Sequence, residues 1–108
     1  MSPRILIAEC DADIRELLEM TMQKLGYVPV DVTDDCEVDA VLLEPACESG
    51  RSVLKRFGDK LPPVVCLSIY PREHGLEPAA SVAYLMKPAS SAQIARALSR
   101  IFAVQPAH

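Results

Sequence analysis

The chain has no lysine or arginine cluster, no C-x-x-C pair, no internal repeat and no apolar run of membrane-spanning length. Fifteen acidic residues against eleven basic ones give a formal net charge of -4. With the bases dispersed, direct nucleic-acid binding by this domain is not expected. Neither histidine lies near the cysteines at positions 10, 36, 47 and 66, which argues against a structural zinc site. Arg4 and the short apolar run after it are too little for a signal peptide, and nothing is long enough to span a membrane. A cytoplasmic location is the expectation, with four free thiols in its reducing environment and Cys66 as a small core residue. Half of the residues are hydrophobic, which excludes a disordered chain. The 108 residues make one domain with one core, slightly short for a five-stranded doubly wound fold. Residues 103–108 carry no pattern and are expected to be a frayed tail or the start of a linker.

What is present is a set of short apolar runs that each stop at a polar residue. Arg4 to Ala8 runs into Glu9-Cys10-Asp11, Asp39 to Leu43 into Glu44, Val64 to Leu67 into Ser68, and Val82 to Met86 into Lys87-Pro88. Nearly all-apolar segments alternating with amphipathic ones indicate parallel strands buried on both faces. Ligand and catalytic groups of such sheets gather at the strand carboxyl ends, so Glu9, Cys10, Glu44, Ser68 and Lys87 are expected to converge. Asp11 can cap a helix reaching about Leu25, with Ile14, Leu17, Leu18, Thr21, Met22 and Leu25 as its buried stripe and Gly26 as its stop. Tyr27 to Val32 alternates as an edge strand, with Val28, Val30 and Val32 on one side. A short helix carrying Val53, Leu54 and Phe57 starts at Ser49 or Gly50 and ends at Gly58. Pro71 to Ala80 leaves room for a turn or two of helix. Ser90-Ser91-Ala92-Gln93 is a capping box opening a last helix whose inner face is Ile94, Ala97, Leu98, Ile101 and Phe102.

The stretch from Ile5 to Leu18 resembles the opening of a response-regulator receiver domain, and Tyr84-Leu85-Met86-Lys87-Pro88 resembles its closing lysine-proline motif. The resemblance covers nearly the whole chain. It implies an α/β, flavodoxin-like, doubly wound five-stranded parallel sheet of order 2-1-3-4-5, and a role in two-component signalling. Family receivers place two acidic residues where Glu9 and Cys10 stand, and a phosphoryl-accepting aspartate where Glu44 stands. They place a Thr or Ser at Ser68, an aromatic switch residue at Tyr84 and a lysine at Lys87. Here the acceptor is a glutamate and the second acid is a cysteine.

Only Thr33 to Val38 separate the second and third strands, where a receiver carries a whole helix. In the family order, the link must cross two strand spacings and return along a strand, roughly 20 Å in all. Six extended residues reach ~20 to 25 Å, so the crossing is expected as an extended segment with the second helix missing. That loss is expected to leave an open apolar patch at Val30, Val38 and Val53, and to favour a homodimer or a contact with a protein partner on that face; the competing outcome is that the link and the side chains of Cys36 and Val38 fold over the strands and seal the gap, leaving a monomer.

In a working receiver, carboxylates hold Mg²⁺ while the metal and a lysine neutralise the transferred phosphoryl group. Glu44 is one methylene longer than aspartate, which moves its carboxylate ~1.5 Å outward, and a thiol at Cys10 is a poor ligand for hard Mg²⁺. No cofactor is expected, with Mg²⁺ bound at most weakly. Glu44 is read either as a permanent negative charge paired with Lys87, or as an inherited carboxylate in an inert site. Ser68 and Tyr84 are read either as a switch pair or as strand-end packing. Cys10 and Cys47 lie at the ends of neighbouring strands, as two free thiols or as a redox pair. The leading expectation is a non-enzymatic, phosphorylation-independent receiver-like module acting through a protein partner or self-association. The alternatives are a residual phosphoacceptor served by a histidine kinase, and a thiol redox sensor through Cys10 and Cys47.

Overall fold

A computed structural model describes residues 2–72 and 77–102. Its centre is one sheet of five parallel strands: β1 (Arg4–Ala8), β2 (Val28–Asp31), β3 (Ala40–Leu43), β4 (Val64–Ser68) and β5 (Ser81–Met86). Their order is β2-β1-β3-β4-β5, as the sequence predicts. The described helices are α1 (Ala12–Leu25), α2 (Glu48–Phe57), followed by a 3-10 turn over Gly58–Lys60, and α3 (Ser91–Phe102).

Successive side chains of a strand point to opposite faces, and here both faces are covered. On one, Ile5, Ile7, Leu42, Val65 and Leu67 pack against Leu18 and Met22 of α1 and Ile94, Ala97 and Leu98 of α3. On the other, Leu6, Ala8, Val41, Leu43, Val64 and Cys66 pack against Val53 of α2, with Leu54 and Phe57 alongside. All of β3 and β4 is buried, which explains why these strands read as continuous apolar runs.

Local signals set the helix ends. Asp11 Oδ1 accepts the backbone N–H groups of Asp13 and Ile14 at 3.0 and 3.1 Å, a cap that contributes about 1 kcal/mol. Gly26 takes φ 91° at the other end of α1, where its N–H and that of Tyr27 close on the carbonyls of Gln23 and Met22. The capping box is present in full: Gln93 N–H donates to Ser90 Oγ at 3.1 Å and Ser90 N–H to Gln93 Oε1 at 2.8 Å.

Two expectations about buried faces need correction. In α1 the buried row is Leu18, Thr21 and Met22, whereas Leu17 is 62% and Leu25 37% exposed. Leu17 lies on the flank of the helix, lining a groove with Ile69 and Ala89 instead of the core. In β2 only Val30 is buried; Val28, at the exposed start of an edge strand, is open.

No helix lies between β2 and β3; residues 32–39 form the whole link. It begins with a turn closed by Asp34 N–H on Asp31 O, and it ends tied to β1: Asp39 N–H donates to Arg4 O while Arg4 N–H donates to Asp39 Oδ2, each at 2.8 Å. Arg56 of α2 donates to the carbonyls of Val32 and Asp34 at 3.1 and 3.0 Å, giving this irregular backbone partners that a helix would have supplied internally. Val32, Cys36 and Val38 pack onto the α2-face core. The open patch expected on this face is therefore absent, because the link folds its own side chains over the strands: Val30 is 5% and Val53 2% exposed. The argument for association through that face falls with it.

A turn or two of helix is expected between Pro71 and Ala80, of which residues 73–76 lie outside those described, as does the whole expected tail at 103–108. No described helix is long and apolar enough to cross a membrane.

Candidate functional site

Strand register brings the polar strand ends together. Ala8 pairs with Leu43 and Leu43 with Cys66, so Glu9 and Glu44 leave adjacent strands side by side. Glu44 N–H donates to Ala8 O at 3.0 Å, continuing the ladder one residue past the strand. Ser68 pairs with Met86, and Lys87 N–H donates to Ser68 O at 2.9 Å. The Lys87–Pro88 peptide is cis.

At this edge Lys87 sits between two carboxylates. Its Nζ lies 2.5 Å from Glu9 Oε1 and 2.9 Å from Glu44 Oε1. The sequence predicts the Glu44 pair; the structure makes it a triad. Both glutamates are buried, Glu9 5% and Glu44 6% exposed. The second oxygens are also engaged: Glu9 Oε2 accepts Asp11 N–H at 3.0 Å, and Glu44 Oε2 accepts Ala46 N–H at 3.3 Å. Burial works against the charged ammonium, yet the hydrogen bonds and charges of Glu9 and Glu44 outweigh it and hold Lys87 above the ordinary lysine value. A cation satisfied by two carboxylates meets the condition under which buried charge is tolerated.

The β3–α2 turn that carries Glu44 is fixed from behind by Gly50. A Cβ on Gly50 would stand 1.9 Å from the Glu44 carbonyl oxygen, so the first turn of α2 lies against the backbone of Glu44 at a distance only glycine allows. The sequence offers one signal for this: a glycine placed inside a helix, where it costs about 1 kcal/mol relative to alanine, needs a packing reason.

Cys10 is exposed beside the triad, and Cys47 is half-buried as the N-cap of α2. Ser49 N–H donates to Cys10 Sγ at 3.3 Å and Gly50 N–H to Cys47 Sγ at 3.5 Å, so both sulfurs rest on the first turn of one helix. For Cys10, desolvation is outweighed by the hydrogen bonds from Cys47 and Ser49, which lower its pKa; for Cys47, burial and then the Cys10 side chain raise it.

The remaining expected residues reach the same edge but are engaged locally. Ser68 is fully buried, and its Oγ accepts Tyr70 N–H at 3.1 Å. Tyr84 packs against the α2-face core and donates its hydroxyl to Tyr70 O at 2.7 Å. The register therefore gathers Glu9, Glu44 and Lys87 into one charge cluster, with Cys10 and Cys47 at its side. Among the described residues no group of three His, Cys, Asp or Glu side chains is arranged to hold a metal ion.

No protein-family model matches the chain, and no curated protein matches it in sequence. Solved structures do resemble it. A response regulator receiver protein from Burkholderia phymatum is 20% identical with a TM-score of 0.77, over 98% of this chain and 100% of that one. The receiver domain of a sensor histidine kinase from Pseudomonas aeruginosa PAO1, solved with magnesium coordinated in its active-site cleft, is 20% identical with a TM-score of 0.76, over 95% and 99%. A CheY-like response regulator receiver domain from Methylobacillus flagellatus is 22% identical with a TM-score of 0.74, over 94% and 99%. Sheet order, strand-end placement and these likenesses together give the chain the flavodoxin-like fold of response-regulator receiver domains.

Proposed function

We propose that the chain is a receiver-like signalling domain that works without being phosphorylated, as a non-enzymatic module that binds a protein partner. The observation that carries this is the Glu9–Lys87–Glu44 triad. In a receiver that takes up phosphate, the lysine neutralises the incoming phosphoryl oxygens and the carboxylates bind the metal that does the same. Here the lysine is already committed to both carboxylates. The attacking group would be a glutamate whose oxygen stands ~1.5 Å beyond the aspartate position, a displacement able to cost about 10²-fold in a tuned site.

Magnesium, found in the Pseudomonas aeruginosa neighbour, does not fit the residues present. The ion demands near-octahedral oxygen coordination at ~2.0 to 2.1 Å. This pocket offers two carboxylates already bridged by Lys87, with a thiol at position 10. The triad instead holds a fixed charge arrangement at the strand ends, where Ser68 is buried and Tyr84 packs on the core, each engaged with Tyr70.

A protein partner, rather than nucleic acid or membrane, suits the acidic net charge of -4 and the exposed apolar groups near the site. Leu17 and Ile69 are each 62% exposed. Leu17 and Ile69 border an apolar groove of about 330 Å³ that reaches Lys87. A cytoplasmic setting, where two-component partners reside, belongs to the same reading.

Incubation with acetyl phosphate and Mg²⁺ followed by intact-mass measurement is the test. No phosphoryl adduct is expected, whereas Glu44→Asp combined with Cys10→Asp should restore measurable Mg²⁺ binding by returning both oxygen ligands. A stoichiometric adduct on Glu44 of the unaltered chain would establish the other reading, a residual acceptor supplied by a histidine kinase.

A further inference from the structure

The thiols beside the triad play no part in the partner-binding reading. Cys10 comes from the segment after β1 and Cys47 from the end of the β3–α2 turn, 37 residues apart in sequence. Both sulfurs nevertheless accept hydrogen bonds from consecutive N–H groups, Ser49 and Gly50, at the start of α2. That helix end carries partial positive charge, which favours a thiolate over a thiol. The two sulfurs differ in exposure: Cys10 is open to solvent while Cys47 is half-buried behind it. Cys10 also lines a cleft of about 510 Å³ between α1, the link and α2, bordered by Arg15, Thr33 and Ser52. A small oxidant can reach the first sulfur directly. Cys36 and Cys66 have no such setting: Cys66 is fully buried in the sheet, and burial pushes its thiol up to about 11.

We propose that Cys10 and Cys47 are a reactive dithiol pair in which a hydroperoxide oxidises Cys10 and Cys47 resolves the product as an intramolecular disulfide. In the first step the Cys10 thiolate attacks a peroxide oxygen. The O–O bond breaks, the leaving oxygen takes a proton and departs as water or an alcohol, and Cys10 becomes a sulfenic acid. In the second step Cys47 sulfur attacks Cys10 sulfur and releases the sulfenic oxygen as a second water, with the Cys47 thiol proton accounted for in that water. Two thiols lose two electrons in all, and the peroxide gains them. A low-molecular-weight thiol reverses the change by exchange. Both sulfurs are held at consecutive N–H groups of the first turn of α2, from which they need to close to the ~2.05 Å of a bond. The bond would tie the segment after β1 to the N-terminus of α2, next to the carboxylate triad. Direction of attack follows from the same surroundings, which favour the thiolate on Cys10 and the thiol on Cys47.

The test treats the reduced chain with hydrogen peroxide, blocks remaining thiols under denaturing conditions, and maps the products after cleavage at glutamate. Such cleavage at Glu37 and Glu44 separates Cys36 from Cys47. The expected product is a Cys10–Cys47 linked peptide, reversed by dithiothreitol, with Cys36 and Cys66 blocked as free thiols. Cys47→Ser should stop at a Cys10 sulfenic acid captured by dimedone, and Cys10→Ser should slow peroxide consumption by about tenfold or more. Complete blocking of both Cys10 and Cys47 after peroxide, or a disulfide involving Cys36, Cys66 or a second chain, would overturn the proposal. So would unchanged peroxide consumption by folded Cys10→Ser. The unaltered chain alone yields the decisive map, so a variant that fails to fold does not blunt the test.

Discussion

Replacing Lys87 by methionine isolates the triad. The side chain keeps nearly the same length and apolar stem, so the change is the loss of one ammonium on a side chain only 12% exposed. Two glutamates, 5% and 6% exposed, would then face each other without a cation. Removing one partner of a buried ion pair costs about 3 to 5 kcal/mol, mostly because the other charge is stranded. One cation here serves two carboxylates, which places the loss at the upper end, roughly 4 to 5 kcal/mol. A domain of this size has a total stability of ~5 to 15 kcal/mol, so much of it would go. At ~4 to 8 °C per kcal/mol, the unfolding midpoint should drop by about 20 °C or more. The triple variant Lys87→Met, Glu9→Gln, Glu44→Gln removes the stranded charges as well, and should lie no more than ~2 kcal/mol below the parent. Urea unfolding followed by circular dichroism, with each glutamine change also measured alone, gives the coupling. If the triple variant loses the simple sum of its parts, the three groups do not interact as described and the reasoning fails.

Two further outcomes follow from the same geometry. Gly50→Ala should cost roughly 3 kcal/mol or more in thermal or urea unfolding, since its Cβ meets the Glu44 carbonyl at 1.9 Å and the opposing atom is backbone; a loss under 1 kcal/mol would show that α2 is free to shift. Lys87 is held above its ordinary value of 10.5 by its two partners. Its contribution is therefore complete below the unfolded pKa and is lost as pH rises through the folded one. Urea stability should decline in the alkaline range above about pH 10.5 in the parent, and a Lys87→Met chain should lack that part of the decline.

The fold was legible because each buried strand is a short apolar run with a polar stop, and because Thr33 to Val38 are too few for a crossover helix. Register then does the rest: once Ala8 stands opposite Leu43, Glu9 and Glu44 must be neighbours. Less visible was anything that depends on how the chain closes in the third dimension. Periodicity marks the apolar side of α1 but not its edge, so the pattern places Leu17 in the core although it borders a groove. The sequence leaves two outcomes for the link, an open gap or a seal by Cys36 and Val38, and favours the gap; the structure takes the seal, with Val32 added and Arg56 satisfying the carbonyls. The sequence pairs Lys87 with Glu44 alone, while an ammonium with three donors reaches Glu9 too.

The link between β2 and β3 also acts as a ruler. Its eight residues, 32–39, can extend to ~26 to 29 Å, against a path of roughly 20 Å across and along the sheet. Little slack remains once the initial turn is formed and the far end is fastened to Arg4. A parallel edge strand can otherwise slide along its neighbour, and a shift of a single residue would turn Val30 outward and Asp31 inward. A longer, helical crossover would leave that choice to the side chains of β2 alone. With a taut tether, chain length itself opposes the slide, so a four-residue strand that opens with exposed Val28 and contains a proline still holds one alignment against β1.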